Sequence, residues 1–114
     1  NKGYLYNKDN GGEIMEIKKT TNGNEVVMQL LGRLDTNAAP DLIKEIEATL
    51  VDGVTSFVLD MEGCDYVASS GLRAILVAQK KMNSLQGNMV VKNVISNVME
   101  VFEMTGFADI LTIV

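Results

Sequence analysis

Val67-Ala68-Ser69-Ser70-Gly71-Leu72-Arg73 is the stretch around which this 114-residue chain is organised. Before it runs Phe57-Val58-Leu59-Asp60-Met61, an apolar pattern expected of a buried strand. After it, Leu72, Ile75, Leu76, Gln79 and Met82 recur at spacings of three and four, mostly apolar, which predicts a helix. Two hydroxyls and a glycine therefore stand where a loop feeds a helix. The first turn of a helix carries unpaired N–H groups and the positive end of the backbone dipole, so it suits an N-cap oxygen or a phosphate.

Outward from this stretch the pattern alternates. Upstream, Met15 to Lys18 alternates like a half-buried strand and Thr21-Asn22-Gly23-Asn24 supplies a turn. Val26 to Leu31 then reads as a second strand, ended by Gly32-Arg33-Leu34-Asp35. A helix follows, with Thr36 or Asn37 as its expected cap and Pro40 confined to its first turn. Ala39, Leu42, Ile43, Ile46 and Leu50 form its apolar stripe, and Asp52-Gly53 closes it. Downstream, the helix after Ser70 is expected to run to about Ser84 and end before Gly87. Met89-Val90-Val91 is a further strand, Ser96 the expected cap of a third helix ended by Gly106, and Ile110 to Ile113 a short final strand. The order β-β-α-β-α-β-α-β predicts a single α/β domain over residues 14–114. Its mixed sheet has an initial antiparallel hairpin and then parallel strands, packed with about three or four helices. Residues 1–13, rich in Asn, Lys and Gly, read as a flexible extension or a cloning-derived addition.

Composition narrows the function. No apolar run approaches the roughly 20 residues that span a bilayer, and residues 1–13 have no apolar signal region, so direct membrane insertion is not expected. A formal charge of −5 argues against nucleic acid as a partner. Residues 35–70 hold eight acids and one base, a net of −7 that leaves +2 for the rest of the chain. The segment leading into Ser69-Ser70-Gly71 is therefore acidic, either as a solvated face or as a surface for a basic partner. With no histidine, Ser-His-Asp and Cys-His catalysis are excluded. The single Cys64 cannot form an internal disulfide or anchor zinc, which fits a cytoplasmic protein without a metal. No glycine-rich phosphate loop is present, and no cofactor is expected. Asp35 and Asp60 both follow strand-like runs and could approach each other at one sheet end, yet a carboxylate pair alone is weak support for catalysis. The reading is a protein that is not an enzyme.

Four blocks in order carry a resemblance: Gly32-Arg33-Leu34-Asp35, Val58-Leu59-Asp60-Met61, Ser69-Ser70-Gly71-Leu72 and Phe102-Glu103-Met104-Thr105-Gly106-Phe107. Together they resemble STAS domains, most closely bacterial anti-sigma factor antagonists of the SpoIIAA type. The resemblance implies that Ser70 is the phosphoacceptor of an anti-sigma factor that is also a serine kinase. It implies that the unphosphorylated form binds that factor and frees a sigma factor, and that a phosphatase restores this form. Asp35, Thr36, Asp60, Ser69, Gly71 and Arg73 are then the expected partner-binding residues. Ala68 departs from the family, which usually has aspartate before the two serines. Two alternatives stand beside this reading. Ser69 and Ser70 could simply cap a helix. Single STAS domains also resemble small subunits of membrane lipid-transport ABC complexes, which bind the transporter's ATPase.

Overall fold

The computed structural model describes residues 2–7 and 14–114. Strand β1 (Lys2–Asn7) pairs antiparallel with β2 (Ile14–Asn22), and β2 with β3 (Glu25–Leu34). Strands β4 (Ser56–Val67) and β5 (Asn88–Lys92) then add in parallel, giving one sheet in the order β1-β2-β3-β4-β5. The expected hairpin followed by parallel strands is what the chain adopts. Within the stretch read as a flexible extension, Lys2–Asn7 forms the edge strand β1; residues 1 and 8–13 lie outside the described residues.

Alternation explains the layering. Val26, Met28 and Leu30 of β3 are buried, as are Phe57, Leu59 and Met61 of β4 and Met89 and Val91 of β5. Against this face pack α1 (Ala39–Thr49), through Leu42 and Ile46, and α2 (Ser69–Ser84), through Leu72, Ile75, Ala78 and Met82. Successive parallel crossovers stepping in one direction put both helices on the same side, where they touch each other. Lys19 of β2 ties the antiparallel half to α1: its Nζ lies 2.8 Å from Glu45 Oε1 and 3.1 Å from Thr49 Oγ1.

The opposite face carries two rows in register. Val27, Val58 and Val90 lie side by side, each half-buried. The neighbouring row reads Lys18, Gln29, Asp60, Lys92.

Helix α2 ends at Ser84, before Gly87, as expected, and the left-handed residue that follows it is Gln86 (φ 60). Gly87 is needed for space, because a Cβ there would stand 2.8 Å from the Thr55 carbonyl oxygen. Helix α3 (Ser96–Thr105) is capped by Ile95 without a side-chain bond, so Ser96 is its first residue and not its cap. Gly106 ends it in the left-handed conformation (φ 83), as expected. The expected final strand at Ile110 to Ile113 is reduced to one bridge, Val91 with Ile113, because the 3₁₀ turn at Phe107–Asp109 carries on: the N–H groups of Ile110 and Leu111 donate to the Phe107 carbonyl instead of to a neighbouring strand.

Phe57 is fully buried at the centre of this two-layer core. Phe57→Ala is expected to lower unfolding free energy by about 3–5 kcal/mol in urea titration, the range for removing a buried aromatic ring.

Candidate functional site

The site is set by register. Leu34 and Val67 are paired at the exits of β3 and β4, and the Ala68 N–H donates to the Leu34 carbonyl at 2.9 Å. The β3–α1 and β4–α2 loops therefore leave the sheet side by side. Ala68, in extended conformation, is the N-cap of α2, and its carbonyl accepts the Leu72 N–H at 3.0 Å. No side chain caps this helix. Ser69 and Ser70 lie inside its first turn, and neither hydroxyl is spent on capping. Ser69 is exposed and Ser70 partly so. The Ser70 hydroxyl instead donates to Thr36 Oγ1 at 3.4 Å, a long and weak bond bridging the two loops.

Neither Thr36 nor Asn37, the expected caps of α1, takes that place: the N-cap is Ala38, with no side-chain cap bond, and Asp35 holds the turn before it. Its Oδ1 accepts the N–H groups of Asn37 (3.1 Å) and Ala38 (2.9 Å), while its carbonyl accepts those of Ala38 and Ala39. An aspartate bonded to N–H groups two and three residues on makes a tight turn of its own, so helix formation is delayed to Ala39 with Pro40 in the first turn. The consequence is chemical. Asp35 is committed to holding the loop, and Thr36 is left exposed to face Ser70.

Gly71 fixes how close the two loops come. A Cβ there would sit 2.7 Å from both Cγ and the carbonyl oxygen of Leu34, and 3.1 Å from Val67 Cγ1. Only a glycine lets the first turn of α2 rest on the end of β3.

Between the starts of α1 and α2 lies an open groove of about 380 Å³, lined by Thr36, Ala39, Pro40, Ile43, Ser70 and Arg73. Its floor is apolar and its rim is hydroxyl and guanidinium. Thr36, Ser70 and Arg73, all expected at the site, are thus brought together. Ala39, Pro40 and Ile43 were legible only as helix-start and core residues; a half-buried Ile43 flanked by Pro40 marks where the stripe emerges from the core. Asp60 stands apart. It pairs in register with Gln29, five residues before Leu34 on β3 and so roughly 16 Å along an extended strand from the strand exits. Its Oδ1 accepts bonds from the Glu62 N–H and Asn93 Nδ2, both at 3.1 Å. The structure therefore does not bring Asp60 to Asp35. Sequence reading also missed Arg33, whose guanidinium stacks 4.0 Å over the Tyr66 ring just before the two strand exits.

A larger cleft of about 510 Å³ lies at the other end of β4 and β5, lined by Ser56 and Asn88 among others, with no charged side chain in its wall. Cys64 is buried, and loss of solvation pushes its thiol above the ordinary range, against weaker opposing bonds from the Tyr66 and Leu34 backbones. Such a thiol is a poor nucleophile at neutral pH. Among the described residues no group of three or more His, Cys, Asp or Glu is placed to hold a metal ion. Among them, too, no helix is long and apolar enough to cross a membrane.

With this geometry in place, comparison with known proteins is decisive for family. The family model described as STAS domain matches residues 16–114. The chain belongs to the STAS domain family. It is 34% identical over 84 residues to BtrV of Bordetella bronchiseptica, provisionally named an anti-sigma factor antagonist, covering 74% of this chain and 72% of that protein. The fold of this STAS domain is that of the anti-sigma factor antagonist SpoIIAA. Its unphosphorylated form superposes with TM-score 0.68 at 21% identity, over 88% of this chain and 86% of that one. The phosphorylated form of the Bacillus protein superposes with TM-score 0.68 at 20% identity, over 86% and 90% of the two chains.

Because alanine normally favours a helix over glycine by about 1 kcal/mol, Gly71→Ala gives a diagnostic sign. The expected outcome is a net loss of about 1–3 kcal/mol from overpacking against Leu34. Thermal melts measure the loss, and amide chemical-shift changes centred on Thr36 and Ser70 report the displaced turn.

Proposed function

We propose that this STAS domain is an anti-sigma factor antagonist that works by binding rather than catalysis, with Ser70 as its phosphoacceptor. One observation supports the reading above the others. Ser70 stands at the rim of an apolar groove with a hydroxyl that no capping role consumes. The simple helix-cap alternative loses its footing for the same reason.

In the unphosphorylated form, the surface formed by Thr36, Ser69, Ser70 and Arg73 docks on an anti-sigma factor and releases the sigma factor it holds; Gly71, expected on that surface, is buried beneath it and acts by setting the two loops close together. Asp35 contributes by shaping the loop that carries Thr36. Asp60, in this reading, supplies acidity on a separate face and does not touch the same partner patch. The anti-sigma factor is also the kinase. It transfers the γ-phosphoryl of ATP to Ser70 Oγ; the new O–P bond forms as the bridge to the β-phosphate breaks, ADP leaves, and the hydroxyl proton passes to a base of the kinase. A phosphatase returns the serine by hydrolysis, with water supplying the oxygen of the released phosphate. These partners would place the protein in the cytoplasm.

Energetics favour such a switch. Phosphoserine adds about −1.5 to −2 charges to a segment that already carries a net of −7. If the partner surface is shaped for a neutral hydroxyl, burying that charge costs about 2–5 kcal/mol. At about 1.4 kcal/mol per tenfold, affinity falls roughly thirty- to several-thousand-fold. The fold itself bears little of this cost, since a charge at the open first turn of α2 is favourably placed toward the helix dipole.

Calorimetric titration against the cognate anti-sigma factor tests the reading with three forms of the protein. Ser70→Ala should bind like the native protein and resist release by kinase and ATP. Ser70→Asp, with one charge and fewer acceptors, should bind more weakly while its melting curve shifts by no more than about 1 kcal/mol. Native affinity in both Ser70→Asp and authentic phosphoserine protein would overturn the switch and leave the transporter-subunit reading.

A further inference from the structure

Arg73 has a relation to Ser70 that the switch described above does not use. It lies three residues further along α2, the spacing at which side chains of a helix become neighbours. Both residues line the same groove. Arg73 is exposed and makes no hydrogen bond or ion pair among the described residues. Its guanidinium is therefore uncommitted while Ser70 is a plain hydroxyl. The carboxylate nearest along the chain to Thr36, Asp35, is occupied by the N–H groups of Asn37 and Ala38.

We infer that a phosphate on Ser70 is held within this chain by Arg73, so that modification also withdraws Arg73 from the rim of the groove. The planar fork of a guanidinium matches two phosphate oxygens, and such charge-assisted pairs are the strong ones. Phosphorylation then changes the docking surface twice. It adds an anion beside the groove, and it turns the groove's own cation inward, across the apolar lining of Pro40 and Ile43. A partner carboxylate that pairs with Arg73 in the unmodified protein meets a neutralised site in the modified one. The inference rests on Ser70 being the modified residue, and it assigns Arg73 one role in each state.

The test needs no partner protein. Phosphoserine is installed at position 70 of the full chain during translation, and the phosphate is titrated by phosphorus NMR. A neighbouring cation favours the dianion, so with Arg73 present the second ionisation should occur at a pH lower by about 0.5 than in the Arg73→Gln protein. Comparing variants that share the same helix start cancels the contribution of the backbone dipole. Arg73→Lys, which keeps the charge but not the fork, should recover part of the displacement. Far-UV circular dichroism verifies that each variant is folded, as an exposed position predicts. An ionisation midpoint that is the same in native and Arg73→Gln proteins overturns the inference. Because the readout is independent of the anti-sigma factor, its failure is distinguishable from failure of the binding reading.

Discussion

The functional end of this domain depends on one close approach, the first turn of α2 lying on the end of β3 with only a hydrogen between them at Gly71. That contact brings Leu34 and Val67 into the same layer and lets Ala68 bond to the Leu34 carbonyl. From it follows the adjacency of two loops far apart in sequence. Thr36 and Ser70 meet because the backbones beneath them touch, not because their side chains attract each other; a 3.4 Å hydroxyl pair contributes little. The groove between the two helix starts is the space left over once the backbones have been pinned at this point.

This arrangement separates what holds the fold from what a partner would read. Leu34, Leu72, Ile75 and Phe57 are buried beneath the site and carry the packing energy. Ser69, Ser70, Thr36 and Arg73 sit above them and make few internal bonds. A hydroxyl outside the capping network can be modified without removing an interaction on which the helix relies. The loop is rigid for a different reason, namely the Asp35 carboxylate, which satisfies two backbone N–H groups and leaves the neighbouring threonine for recognition.

Much of this was legible in the sequence, and the residues show why. The apolar run from Val26 to Leu31 and the stripe at Leu42 and Ile46 record contact with a core, a signal that survives without knowledge of the partner surface. Ser70 and Arg73 were readable because the loop-to-helix transition is written in local chemistry and in a shared family pattern. The start of α1 was not, because Thr36 and Asn37 are both competent caps, yet Asp35 turns the chain as it leaves β3 and the N-cap falls to Ala38. Asp60 was assigned to the site from its family position; strand register, a long-range property, puts it elsewhere. The groove lining was hidden for a similar reason. Ala39, Pro40 and Ile43 look like ordinary helix residues until a second helix start is set beside them.

The two-layer build has a colloidal consequence. With both crossovers on one side, the other face of the sheet carries a row of three half-buried valines. An apolar β surface invites copies to stack wherever it is accessible. Immediately beside it run Lys18, Gln29, Asp60 and Lys92, where Asp60 sits directly across from Lys92 in register. Opposite charges neighbouring within one sheet hold their water, and a second sheet laid against them would have to strip it away. A regulator that acts by binding must be present in amounts comparable to its target. For a molecule kept at such concentrations, a hydrated charged row beside an apolar one works against the stacking of copies.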